Sequence, residues 1–353
     1  TRDGKPVLPR GAVGRNSYHG HMDTSTHKSC GMDCAPARRP VVGRFAPTPS
    51  GKIHLGNVFS ALMAWASVRS AGGKIILRIE DLDPRAQDQR VADDLMRDYE
   101  WLGLSWDEGP YYQSRRTDAY QEALETLGDR GLTYPCFCSR AELHAASAPH
   151  AADGTFVYQG TCRGLTPEQI AEKSKRRNPA IRLMVPDESS PLARITVVDR
   201  VYGTYSENLA RDCGDFLIRR SDGVFAYQLA VVVDDGLMGV TEVVRGRDLL
   251  PSAARQTYLG GLLGFDRHEY SHVPLLMGPD GHRLSKRNLD TDVASLRDDG
   301  INAKTIIGRL AEAVGIAEPG ESLTADEFAR RFSWEDIRTH KSDVVVDENF
   351  FLK

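Results

Sequence analysis

The sequence predicts an α/β fold: a parallel sheet with flanking helices, interrupted by an inserted subdomain and followed by a helical C-terminal region. Three observations predict it. Short apolar runs at 41–45, 74–79 and 240–244 alternate with helix-periodic segments, as buried strands and their crossover helices do. The last two runs are followed directly by charged residues, Glu80 and Arg245, at the strand ends where open α/β sheets bind ligands. Between 132 and 200 the alternation stops, and cysteines, glycines and a basic run appear instead.

Composition sets the bounds. The 353 residues suffice for one large catalytic domain with an insertion, and 41% hydrophobic with 27% charged residues suits a globular chain. A net charge of −4 excludes a globally basic nucleic-acid binder, so any such binding rests on local patches. No apolar segment is long enough to span a membrane, and no secretory h-region is present. Six cysteines in this length are no disulfide framework; their clustering points to metal or plain burial in a reducing cytoplasm.

Residues 1–38 lack hydrophobic periodicity and are expected to be a disordered tail. Thr1 is not a natural start, and Met22 behind Gly20-His21 is the expected initiator after an expression remnant. Cys30 and Cys34, near His27, read as free thiols because no fourth ligand is in view. From Val41 a strand runs into a loop holding Pro47, Pro49 and Gly51, and His54-Leu55-Gly56-Asn57 opens a helical run over 58–68. Such a corner turns backbone N–H groups and the helix dipole toward an anion. His54 adds a donor for charge developing in phosphoryl chemistry.

The strand over 74–79 leads into Glu80-Asp81-Leu82-Asp83-Pro84. Asp83, with Pro84 at the first helical position, is expected to cap a helix over 85–102, leaving Glu80 to face the site. Another helix follows over 117–130, and short strands at 181–185 and 195–198 belong to the insertion. The α/β pattern returns at 215–219. A strand over 240–244 ends in Arg245-Gly246-Arg247-Asp248, with Asp248 expected to cap a helix over 249–263. A strand near 270–276 precedes Gly278-Pro279-Asp280-Gly281 and then Arg283-Leu284-Ser285-Lys286-Arg287. Helices such as 303–314 complete the chain. The expected divisions are 39–131 and 201–290 for the halves of the catalytic domain, 132–200 for the insertion and 291–353 for the C-terminal region.

Two constellations carry chemistry. The glycine-containing approach around His54, paired with Ser285-Lys286 downstream, suits a nucleoside triphosphate, with the lysine as a point charge for leaving pyrophosphate. Cys136-x-Cys138 and Cys162, in a loop-rich insertion too small for its own core, suit a structural zinc with a fourth ligand that residue chemistry leaves open. Cys213 stands alone and reads as core.

The stretches Arg44-Phe45-Ala46-Pro47-Thr48-Pro49-Ser50-Gly51 to Asn57 and Arg78 to Asp83, then Phe225 to Ala230, Val244-Arg245-Gly246 and Lys286, resemble the glutamyl/glutaminyl branch of the class I aminoacyl-tRNA synthetases over 41–290. The resemblance implies a Rossmann-like catalytic domain with an inserted zinc subdomain. It implies catalytic roles for His54 and Lys286, and ATP binding by His54, Gly56, Asn57, Ser285 and Lys286. Glutamate binding falls to Arg44, Phe45, Ala46, Pro47, Thr48, Glu80, Tyr227 and Arg245. The zinc ligands become Cys136, Cys138, Tyr158 and Cys162, and magnesium accompanies ATP.

Only residues 287–353 follow Lys286, too few for the helical stem and anticodon-binding region of a full glutamyl-tRNA synthetase. The short form resembles paralogues that activate L-glutamate and attach it to the queuosine base of tRNA(Asp). The expectation is therefore a cytoplasmic, monomeric ligase with ATP, L-glutamate and queuosine-bearing tRNA(Asp) as partners and no membrane. Arg140 and the run Lys173, Lys175, Arg176 and Arg177 are candidates for RNA phosphate contacts. The alternatives are a truncated glutamyl-tRNA synthetase charging the 3′ end of tRNA(Glu), and a non-catalytic synthetase-like RNA-binding protein.

Overall fold

Four parallel strand pairings and one shared seam build the frame that carries the site. The computed structural model describes residues 39–139, 142, 157–282, 284, 292–347 and 349–351. The tail with Met22, His27, Cys30 and Cys34, and the positions Arg140, Ser285 and Lys286, lie outside the described residues. β1 (Val42–Phe45) pairs in parallel with β2 (Lys74–Ile79), and β2 with β3 (Glu108–Tyr112). β10 (Glu269–Val273) lies parallel to both β9 (Glu242–Gly246) and β6 (Arg194–Asp199), and β6 turns back on β7 (Gly203–Asn208). The two ribbons meet where Thr241 N donates to Val42 O at 2.9 Å, beside β1. β1 and β9 are buried throughout and β2 after its first residue, as strands covered on both faces should be.

α1 (Leu55–Ser70) packs across this seam with most of its residues buried. Gly43 makes the approach possible, since a Cβ there would lie 2.5 Å from Val68 Cγ2. α3 (Thr117–Asp129) and α6 (Tyr227–Leu237) pack together beside α7 (Leu250–Leu263).

Two expected caps differ. The single helix expected over 85–102 is instead a 3₁₀ turn at Pro84–Ala86, capped by Asp83, followed by α2 (Gln89–Trp101). Asp88 has an extended backbone and accepts from Arg90 N at 3.0 Å, so it starts a new helix rather than continuing the old one. Asp248 does not cap α7. Arg247–Leu249 forms its own 3₁₀ turn, and α7 starts with Pro251 in its first turn.

A second, antiparallel sheet has β5 (Ala180–Leu183) between β4 (Thr133–Cys136) and β8 (Phe216–Arg219), while α4 (Pro167–Ser174) lies between β4 and β5 in the chain. The expected border at 200/201 is crossed twice: β6 joins the parallel sheet and β8 joins the insertion. Asp215 explains the second crossing. It accepts from Tyr134 Oη at 2.6 Å and Val185 N at 2.8 Å, and its carbonyl accepts from Arg182. Asp199 explains the first, accepting from His272 N on β10 at 2.9 Å.

The short helix α5 (Leu209–Asp212) follows β7. The C-terminal residues form α8 (Val293–Asp298), α9 (Ala303–Glu312), α10 (Ala325–Arg331) and α11 (Trp334–Thr339). A short strand, β12 (Val344–Val345), pairs in parallel with β11 (Leu276–Met277). Ile306, Leu310, Phe328 and Ile337 share one core with Leu55, Phe59 and Leu62 of α1. No helix among the described residues is long and apolar enough to cross a membrane.

Candidate active site

β1 leads through α1 to one side of the sheet and β9 leads through α7 to the other. The strand order reverses between them, which is where an open α/β sheet leaves a crevice for ligand. A cavity of about 420 Å³ opens there. Arg44, Phe45, Ala46, Pro47, Thr48, His54, Asn57, Glu80, Tyr227 and Arg245 all line it. Gly56 is not among the lining residues but sits under the His54 ring, where a Cβ would be 3.3 Å from Nδ1.

Each side chain arrives by a local cause. Arg44 is carried by β1, buried, with Nη1 donating to Val244 O at 3.2 Å and Nε 3.5 Å from Asp235 Oδ1. Glu80 follows β2 directly, and its N–H donates to Pro47 O at 2.9 Å, which docks the Ala46–Thr48 loop on the strand end. Its carboxylate accepts from Arg78 Nη2 at 3.1 Å. Burial raises the Glu80 carboxyl above its ordinary value, against the pull of Arg78 and Arg44. Tyr227 opens α6 and stays 37% exposed, with Oη 3.5 Å from Arg245 Nη1. Arg245 on β9 also donates to Gln256 Oε1 at 2.8 Å and Leu249 O at 3.2 Å. His54 is the N-cap of α1, whose first turn holds no acidic residue and so presents its amides to an anion unopposed. Asp292 bridges to His54, and Lys52 reaches Asp292 at 3.3 Å.

Arg44, Arg245, Glu80 and Tyr227 thus meet in the cavity beside a helix N-terminus, with Asp248 and Tyr99 also in its lining. That set fits a ligand with carboxylates and an ammonium, next to phosphates.

The cysteine positions also converge. The sulfurs of Cys136, Cys138 and Cys162 lie within 4.8 Å of one another, and Cys138 and Cys162 are 3.6 Å apart. Sulfurs on a tetrahedral zinc, at Zn–S bonds of about 2.3 Å, stand roughly 3.8 Å apart. Tyr158 Oη lies 3.5 Å from Cys136 Sγ and 3.7 Å from Cys138 Sγ, and accepts from Cys162 N at 2.8 Å. Gly214, at φ +67°, lets the Tyr158 backbone approach; a Cβ there would lie 2.4 Å from Tyr158 O. Burial would raise the Cys136 thiol, but Tyr158 and Arg182, whose Nε is 3.2 Å away, hold it below its ordinary value. Burial pushes Cys138 up to about 11. Three sulfurs and one oxygen at these spacings fit a tetrahedral metal. Cys213 is buried apart from them and donates to Gly214 O.

The family described as tRNA synthetases class I (E and Q), catalytic domain, matches residues 40–349. The chain belongs to that family. Among relatives of this synthetase, the Glutamyl-Q tRNA(Asp) synthetase of Nitratidesulfovibrio vulgaris is 47% identical over 284 residues, covering 78% of this chain and 86% of the relative. That of Symbiobacterium thermophilum is 46% identical, covering 81% of this chain and 90% of the relative. Among solved structures, a glutamate tRNA ligase from Elizabethkingia meningosepticum in complex with its amino acid superposes with a TM-score of 0.74 at 26% identity, over 89% of this chain and 68% of that one.

Sequence reasoning about the synthetase missed the residues beneath the cavity. Arg78 is completely buried and joins Asp235 at 2.6 Å to Glu80 at 3.1 Å. Asp234 gathers Arg116, Gln113 and Tyr120 around it. The signal was present as an arginine inside the apolar run Lys74–Ile79 and two aspartates ending an apolar helix. The basic run of the synthetase is partly engaged locally: Lys175 and Arg176 share Glu172, and Arg177 donates to Phe137 O.

Proposed function

We propose that this synthetase activates L-glutamate with ATP and transfers it to the queuosine base of tRNA(Asp). The observation that carries the reading is the gathering of Arg44, Glu80, Tyr227 and Arg245 around one cavity beside the N-terminus of α1. The names of its relatives supply the acceptor.

In this reading Arg44 and Arg245 hold the substrate carboxylates, Glu80 pairs with the ammonium, and the Tyr227 hydroxyl fixes orientation. An oxygen of the α-carboxylate bonds to the α-phosphorus of ATP, the bond to pyrophosphate breaks, and glutamyl-adenylate forms. His54 and the first amides of α1 offset charge on the phosphates as it develops, joined by Lys286. Magnesium bound with ATP supplies charge neutralisation. An acceptor hydroxyl then attacks the adenylate carbonyl and AMP departs. Neither step needs a protein nucleophile, so positioning and electrostatics do the work. Cys136, Cys138, Tyr158 and Cys162 hold a structural zinc that stabilises the insertion. Arg140 and the run from Lys173 contact RNA phosphates, and the synthetase acts as a monomer in the cytoplasm.

Transfer of labelled glutamate to tRNA(Asp) with and without queuosine tests this reading. Label on the queuosine-bearing tRNA alone supports it. Label on the 3′ end of tRNA(Glu) would replace it with a glutamyl-tRNA synthetase activity. Absence of any activation of glutamate would leave an RNA-binding paralogue.

A further inference from the structure

Behind the cavity, three strands meet in a buried line of polar groups that runs from Arg245 back to two residues with no part in the reaction described above. Asp199 ends β6, His272 lies on β10, and Arg245 lies on β9. His272 Nε2 is 3.0 Å from Arg245 Nε, and His272 Nδ1 is 2.7 Å from Asp199 Oδ2. Both Asp199 and His272 side chains are fully closed to solvent.

The donor inventory decides the proton positions. A guanidinium Nε–H only donates, so Nε2 faces it with a lone pair. The ring is therefore neutral, with its proton on Nδ1, donated to Asp199. Burial, which lowers the His272 value, acts in the same direction. Asp199 cannot turn away. Its Oδ1 accepts from Val201 N and Tyr202 N, each at 2.9 Å, and its Oδ2 also accepts from His272 N at 2.9 Å. The imidazole is further held by stacking on Tyr270, with ring centroids 6.0 Å apart and planes 14° from parallel.

We infer that the Asp199–His272 couple is the positioning device of the substrate clamp: it fixes Arg245 through Nε so that the far edge of the guanidinium meets a substrate carboxylate. This rests on the reading of the cavity as the glutamate site. Nε is held by His272, Nη1 by Gln256 and Nη2 by Leu249 O. The fork is thereby set in one plane before substrate arrives, and the Nη1 edge near Tyr227 faces the cavity lining. Prepaid orientation of this kind favours bidentate carboxylate binding.

The test compares His272→Asn and His272→Gln in the full chain by glutamate-dependent ATP–pyrophosphate exchange, with tRNA(Asp) in every sample. Asn keeps a donor for Asp199 but removes the acceptor beside Arg245 Nε, whereas Gln carries its amide oxygen out to that acceptor. The expected result for H272N is a glutamate KM raised roughly ten- to hundredfold, with the ATP KM within about twofold of the parent. H272Q should recover most of that loss. An unchanged glutamate KM in H272N, or glutamate and ATP KM values rising together, overturns the inference. A second measurement does not depend on the variants' activity. Nitrogen NMR of the parent protein, with the His272 signals assigned by their absence in H272Q, should show a neutral Nδ1–H ring at neutral pH. A charged ring or the opposite tautomer overturns the inference equally. Failure of the parent to exchange pyrophosphate with glutamate would instead refute the reading of the cavity, and the NMR result would still stand or fall alone.

Discussion

Arg78 Nη1 and Asp235 Oδ1 form an ion pair at 2.6 Å with both side chains shut away from solvent. The pair joins the two sides of the candidate glutamate site. Arg78 reaches on to Glu80, and Asp235 stands 3.5 Å from Arg44 Nε. One buried contact therefore sets the distance between a cation and an anion that face the same ligand.

Removing one member should be costly. Asp235→Ala leaves Arg78 and Arg44 buried with less compensation, and about 3–5 kcal/mol of stability should be lost. Urea unfolding measures this. A loss below about 1 kcal/mol would mean that the neighbouring carboxylates, Asp234 and Glu80, suffice for Arg78.

The pH dependence of glutamate binding follows from the opposite shifts of two carboxyls. Burial would raise Asp235, but Arg78 and Arg44 outweigh it and hold it down to about 2. Burial leaves Glu80 above its ordinary value. On acidification Glu80 protonates first, while the Arg78–Asp235 frame persists. Protonated Glu80 cannot pair with an ammonium, so glutamate KM should climb as pH falls through the Glu80 value, with ATP KM flat. Glu80→Gln should raise glutamate KM and flatten that profile. Stability moves differently. The depressed Asp235 value gives a contribution that is complete above the ordinary aspartate range and lost as pH falls toward 2. The raised Glu80 value makes its ionised form a cost at neutral pH, relieved on acidification.

The metal reading has its own check. The parent protein should carry zinc by elemental analysis, and Cys162→Ala should not. Tyr158→Phe removes the hydroxyl that touches two sulfurs and the Cys162 amide. Its zinc should pass to a chelator on the order of 10–100 times more readily than in the parent. Equal retention in the parent and Tyr158→Phe would assign the fourth ligand elsewhere.

The C-terminal helices should behave as part of the catalytic core. Phe328 on α10 is fully buried in the same cluster as Phe59 of α1. Phe328→Ala should cost about 3–5 kcal/mol in a single unfolding transition. A separate early transition, with the site intact, would show the C-terminal residues folding apart from α1.

Much of the frame was legible along the chain. Apolar runs bounded by glycine or charge placed β2 at Lys74–Ile79, and periodicity placed α3 within a residue of Thr117–Asp129. The residues named around the cavity were legible because they sit in local motifs at strand ends and at a helix start. Helix restarts were less so: Asp83 and Asp88 are both good caps, and only backbone geometry shows that each starts its own turn.

Tertiary structure alone decided partnerships across long separations. Nothing near Arg78 in sequence announces Asp235, 157 residues away, and nothing near His272 announces Asp199, 73 residues away. The exchange of β6 and β8 between sheets has the same origin, since Asp199 and Asp215 choose partners on distant strands. Local pattern determines which segments are strand or helix and which polar residues stand at their ends, because burial and capping act within a few residues. Which buried charge neutralises which depends on packing the whole chain into a low-dielectric interior, where every ion must find a partner.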